Sequence, residues 1–211
     1  MKFINRFSFG VMLLVVLTNM LTYGFSQKGA GFFEDSLMPE FIGVCVELLI
    51  ILVLFDFWQR SEERKKLETI ERRLREILNF FMTSNFITYP PESRPVGFYG
   101  VNFKDNQIKL DELVNKISSQ HLSEDDQEKI PEYCARELSV VSNLLPVAAE
   151  LTNEHFKSWV RIVYYMNVLS REHHSESQDK VQIEEAIIHI LKNIKRFDKA
   201  SHDSKIYVGA N

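Results

Sequence analysis

The sequence is short of the residues that interrupt helices. Among 211 residues there are eight glycines and six prolines, and neither type occurs between Val44 and Tyr89. Nothing local tells a helix to stop over that stretch. So few glycines also argue against an α/β core that handles nucleotides, which needs a glycine-rich turn to cradle phosphate. Neither a P-loop nor a G-x-S-x-G elbow is present. Cysteine is nearly missing. Cys45 lies inside an apolar run and Cys134 far from it, so they read as two buried thiols in a reducing setting rather than a bridge. No cysteine pair has zinc spacing, and no H-E-x-x-H occurs. Of the six histidines, His173 and His174 are adjacent, so their rings point apart on a helix and chelate poorly. Glu185 and His189 share a helical face and read as a surface pair. The expectation is a protein that is not an enzyme and that needs no metal and no cofactor.

One-signed charge is also scarce. The net charge of -4 predicts no polyanion partner for the molecule as a whole. Mean hydropathy, -0.15, resembles that of a soluble protein. That average misleads, because apolar residues are concentrated in the first 58 positions.

What is present is one continuous stretch, Phe41 to Met82. Its first half, FIGVCVELLIILVLFDFW, contains a single deeply placed acid, Glu47. Its second half is charged, with an apolar seam. If helical throughout, its ~42 residues at 1.5 Å rise run roughly 60 Å. Upstream, Lys2 and Arg6 precede FSFGVMLLVVLTNMLTYGF, about 19 residues and long enough for ~30 Å of hydrocarbon. Two readings fit that run: a retained span, or a secretory signal cleaved near Thr22-Tyr23-Gly24. Between the runs, SQKGAGFFEDSLMPE is acidic and rich in turn residues. Phe55, Phe57 and Trp58 end the second run as an aromatic belt, and Arg60, Arg64, Lys65 and Lys66 follow as candidates for lipid head groups. Basic residues outside both runs and acids between them put both termini in the cytoplasm, in a multi-pass membrane protein. With the first run cleaved, the basic flank after Trp58 still keeps the C-terminal part inside.

Leu67, Ile70, Leu74, Ile77 and Phe81 are spaced three and four apart, an a/d seam. It fits either self-association into a homo-oligomer or packing on the chain's own domain. Between Arg60 and Arg75 lie seven basic and four acidic residues, without the interleaved aromatics of a nucleic-acid platform, so no direct nucleic-acid binding is predicted. Pro90, Pro91 and Pro95 forbid regular helix, so residues 84–100 read as a linker or a structured loop. Helices follow: Leu110, Leu113 and Ile117 share a face, and Ser123 reads as a helix start with Pro131 in a first turn. Pro146 should break or kink its segment. Phe156, Trp159, Val160, Val163, Tyr164 and Val168 form a stripe, and Ile187, Ile188, Leu191 and Ile194 another. The tail after Asp198 is weakly specified. The expected architecture is all-α: a transmembrane hairpin over residues 1–58 (spans about 7–25 and 41–58), a stalk helix 59–83, a linker 84–100 and a cytoplasmic helical domain 101–211.

Glu47 is the most informative residue. It sits roughly 9 Å inside the apolar run at 1.5 Å per residue. A charged acid at mid-helix costs about 2.5–3.5 kcal/mol on insertion scales, so it calls for a partner, a wet cavity or a proton. In an antiparallel hairpin with Phe25 level with Phe41, Glu47 meets Asn19, beside Thr18 and Thr22. Glu40, Gly43 and Glu47 share one face, and Gly43 admits close approach of another backbone. Asp56 can pair with Arg60 one turn later.

The segment MPEFIGVCVELLIILVLFDFWQRSEERKK, preceded by another apolar run and followed by a helical region, resembles small bacterial two-span membrane proteins. Among these are the membrane effectors of retron anti-phage systems, which accompany a reverse transcriptase and its RNA–DNA hybrid. The matching positions are Glu40, Gly43, Glu47, Asp56, Glu63 and Arg64. The resemblance implies an antiviral defence subunit that is held silent by partners and compromises the membrane on infection; it supplies no catalytic residues. The competing expectation is a membrane-anchored adaptor whose helical domain recruits a soluble partner.

Overall fold

The computed structural model describes residues 10–19, 21–22, 38–95, 97–174 and 179–209. Among them there are helices, turns and loops but no strand, so the fold is all-α. The chain divides into two compact units, Met1–Glu63 and Arg64–Asn211.

In the first unit, α1 (Gly10–Asn19) is apolar, and Leu21 and Thr22 are also helical. Its polar side chains turn back on their own backbone. Thr18 Oγ1 donates to the Leu14 carbonyl at 2.7 Å, and Asn19 Nδ2 to that of Val15 at 2.9 Å. Thr22 Oγ1 donates to Thr18 at 2.9 Å. Such back-bonding hides polar groups without help from a second element. Residues 7–9, 20 and 23–25 of the expected first span, and the loop to Leu37, lie outside the described residues.

Helix α2 (Met38–Asn85) is one element of 48 residues, as the lack of glycine and proline requires. It is the described helix that is long and apolar enough to cross a membrane, with a mean hydropathy of 2.1 in its most apolar window. Val44, Ile50, Ile51, Val53, Leu54, Phe57 and Trp58 are exposed there. Helix α2 also supplies the start of the second unit, where its character inverts. Ile70, Leu74, Leu78, Phe81 and Met82 are buried in one core with residues of the later helices. Of the two readings of the seam, packing on the chain's own domain is the one seen: Ile70, Leu74 and Phe81 are buried, Ile77 packs against them, and Leu67 is half-buried. The expected stalk is a core helix, because its apolar stripe has an intramolecular mate.

The rest of the second unit is α3 (Phe103–Gln120), α4 (Glu124–Asn143), α5 (Leu145–Ala149), α6 (Asn153–His173) and α7 (Lys180–Ser204). Helix α7 packs on both α6 and α3, and α6 also packs on α4 and α5. The expected linker is likewise part of the core. Phe86 and Phe98 are fully buried, and Pro91 opens a 3-10 turn, Pro91–Ser93. Ser123 caps α4 as expected, its Oγ accepting from the Asp126 N–H at 3.1 Å. Pro131, however, is inside α4 and buried rather than in its first turn. Its missing N–H removes one bond to the preceding turn. Pro146 does break the helix: α4 ends at Asn143, and α5 begins at Leu145 with the proline in its first turn.

Two expectations are corrected. The buried line of α6 is His155, Ser158, Trp159, Ile162, Met166 and Leu169, whereas Phe156, Val160 and Tyr164 face outward. The indole fixes this rotation: its N–H donates to the Val141 carbonyl at 3.0 Å and its ring lies 6.1 Å from that of Phe197. Nor is the stretch after Asp198 loose. Helix α7 continues to Ser204, Ala200 and Ser201 are buried, and Ile206 joins them. Tyr207 lies on Gly100, where a Cβ would meet its Cβ and Cγ at 2.6 Å.

Candidate functional site

Along the apolar half of α2, Glu40, Gly43 and Glu47 are all exposed. A Cβ built on Gly43 meets nothing within 4 Å. Glu47 has no hydrogen bond or ion pair to another described residue, and the Asn19 amide, bonded to Val15, does not reach it. The expected Asn19–Glu47 clasp is thus not made among the described residues; the amide's short stem lets it satisfy itself on the preceding turn. This leaves an acid displayed on an apolar helical face. Near the end of the run, Asp56 and Arg60 do pair, at 2.9 Å. The basic cluster behind the aromatic belt is engaged as well: Arg64 holds Glu68 at 3.0 Å and Lys66 holds Glu150 at 2.6 Å. All three pairs are exposed, where an ion pair contributes about 0–1 kcal/mol, so these cations can exchange partners cheaply.

The buried half of α2 carries a polar cluster. Arg75 Nε donates to Glu71 Oε1 at 2.7 Å, and Arg75 Nη1 to Asp198 Oδ1 at 2.7 Å. Glu71 and Arg75 are one turn apart and lie beside Ile70 and Leu74, so the pair enters the core with the seam. From α7, Ser201 Oγ donates to Glu71 Oε1 at 2.8 Å. His155 of α6 sits 2.9 Å from that hydroxyl through Nε2 and 2.7 Å from Thr152 Oγ1 through Nδ1. Because Ser201 gives its proton to Glu71, Nε2–H of His155 is the donor to Ser201, and Nδ1 accepts from Thr152. That chain requires a neutral imidazole. Gln107 Nε2 completes the Asp198 carboxylate at 2.9 Å. The guanidinium also stacks over Phe98, 4.8 Å from its centroid.

The charge states follow from burial. Desolvation raises the Glu71 pKa above its usual 4.5 against the pull of Arg75. Desolvation, helped by Arg75, lowers His155 to about 4. Both carboxylates face the one guanidinium, Glu71 through Nε and Asp198 through Nη1. Arg75 Nη2 is buried without a partner. The arrangement fixes the rotation of α2 about its axis against α6 and α7, since a turn of either helix strands a buried charge.

The sequence reading missed all of these residues. Their signal was an i,i+4 acid–base pair flanking the seam, but its partners Asp198 and Ser201 come 123 and 130 residues later. The rings of His173 and His174, expected to point apart, lie 5.0 Å from each other, with Nδ1 of His173 buried and unpartnered, whereas His189 stacks on Tyr165 at 4.5 Å instead of meeting Glu185. Cys45 and Cys134 are both buried and free. Among the described residues no cluster of three His, Cys, Asp or Glu could hold a metal ion. No protein family, curated protein or solved structure matches this chain.

Proposed function

We propose that this protein is an inner-membrane effector subunit of a retron-type antiviral defence system, one that compromises the membrane when phage infection is signalled through its helical domain. The observation that carries the reading is Glu47, an exposed acid on the apolar half of a helix whose other half is locked into a folded unit. An anchor has no use for an acid in hydrocarbon. In this reading both termini are cytoplasmic, the two runs form a hairpin, and Glu47 meets its counterpart in a second copy or a water-filled space. Contact between copies runs along Glu40, Gly43 and Glu47, because Ile70, Leu74 and Phe81 are already covered. The resemblance over Met38 to Lys66 supports a reverse transcriptase with its RNA–DNA hybrid as partner.

The test is membrane potential in cells expressing the full chain, read with a voltage dye. A fragment ending at residue 83 would bare Leu74, Leu78 and Phe81 and is unsuitable. Depolarisation that is kept in Glu47→Gln and lost in Glu47→Leu supports a polar but non-titrating role. An inert wild-type chain, even beside a neighbouring reverse transcriptase during infection, favours the anchored adaptor.

A further inference from the structure

Helices α6 and α7 border an open groove of about 740 Å³, with α3 at its margin. Its cations are aligned. His189, Lys192, Arg196 and Lys199 recur at three, four and three residues along α7, one helical face, and Arg161 comes from α6. Lys195 is neutralised by Asp111 at 2.5 Å. Arg161, Lys192, Arg196 and Lys199 have no ion pair among the described residues. From His189 to Lys199 is roughly 15 Å at 1.5 Å per residue, longer than one phosphate group can span.

The groove also has aromatic surface. Tyr164, turned outward by the rotation of α6, is 60% exposed there. Tyr165 and His189 stack with planes 5° apart. Beside them Asn193 is buried, 4% exposed, with Nδ2 donating to the His189 carbonyl at 2.7 Å. Its Oδ1 has no partner.

We propose that this groove binds single-stranded nucleic acid. The four unpaired cations take successive phosphates, and the face of Tyr164 stacks an unpaired base. A duplex offers phosphates but keeps its bases stacked away from the ring. An acidic protein segment satisfies the cations and leaves the tyrosine without a role. The overall charge of -4 conceals the site, and the stalk, where nucleic-acid binding was discounted, lies a hundred residues upstream.

The experiment is fluorescence anisotropy of labelled 12-mer oligo-dT and oligo-U with the full chain in non-ionic detergent. Saturable binding is expected, with log K falling against log salt at a slope of about -3 for four phosphates on a single strand. The R161Q/K192Q/R196Q/K199Q variant should bind at least about tenfold more weakly with a flatter slope. Tyr164→Ala should lose roughly fivefold or more, since a stacked base contributes that much. All five side chains are exposed, and unchanged thermal melting of both variants is the folding control. The proposal is overturned by absent binding, by a 12-bp duplex binding as well as the single strand, or by variants that bind like the wild type. Oligo-glutamate binding in place of the oligonucleotides also overturns it and points to an acidic protein.

Discussion

The two halves of α2 solve opposite problems with the same backbone. From Ile42 to Trp58 the helix is mostly apolar and, Cys45 apart, exposed or half-exposed, and its one deep acid has no described partner. From Ile70 to Met82 it is amphipathic, and the charges it buries, Glu71 and Arg75, are held by Ser201 and Asp198. A polar group on α2 thus meets protein in one half and the surroundings in the other. Stability should depend on the second half, and activity on the first.

The largest test of that division is Arg75→Met. It leaves Asp198 buried without its counter-charge, and the second unit should lose about 3–5 kcal/mol in chemical denaturation of the full chain in detergent. Little change would mean that the cluster relaxes to water. Leu74→Ala comes next, at about 2–5 kcal/mol for a filled core site. Ile51→Ala, an equal truncation in the exposed half, should shift the same transition by less than about 0.5 kcal/mol. If the two cost the same, the halves do not differ as described.

Acid should separate the halves in another way. His155 is fully buried, with a pKa of about 4 against 6.5 when unfolded. Below pH 6.5 the unfolded chain takes up a proton that the native chain refuses, so stability falls as pH drops toward 4, by about 3 kcal/mol in all. Glu71 opposes this. Its raised pKa makes a contribution that is full below 4.5 and lost as pH rises through the native value. Glu71→Gln should therefore steepen the loss of stability between pH 6.5 and 4.5; an unchanged profile would mean that Glu71 is ionised throughout. Smaller still, Trp159→Phe removes the bond to Val141 and should cost about 1 kcal/mol. Smallest is Asp56→Asn, which breaks an exposed pair and should stay within about 0.5 kcal/mol.

Legibility in the sequence followed the same division. The apolar half of α2, its length and its odd acid could be read directly, since no break occurs and hydrophobicity needs no partner. Local signals also held: the Ser123 cap, the break at Pro146, and the Leu110, Leu113 and Ile117 face. Failures came where a distant residue decides. The seam of Leu74 and Phe81 looks the same whether its mate is another copy or the chain itself. The stripe on α6 was misplaced by about one residue, because inward-facing His155 and Ser158 look polar until Ser201 is beside them. The cations of the groove are spread over two helices, and only folding aligns them.

The pair Glu71–Arg75 has a consequence for timing. Both residues leave the ribosome 123 to 130 residues ahead of Asp198 and Ser201. At about 5–20 residues per second that interval is roughly 6–25 s. For that time α2 is synthesised with its apolar half ready for capture and its inner charges still solvated. The order of synthesis itself delivers the greasy segment before the core can close around the other end.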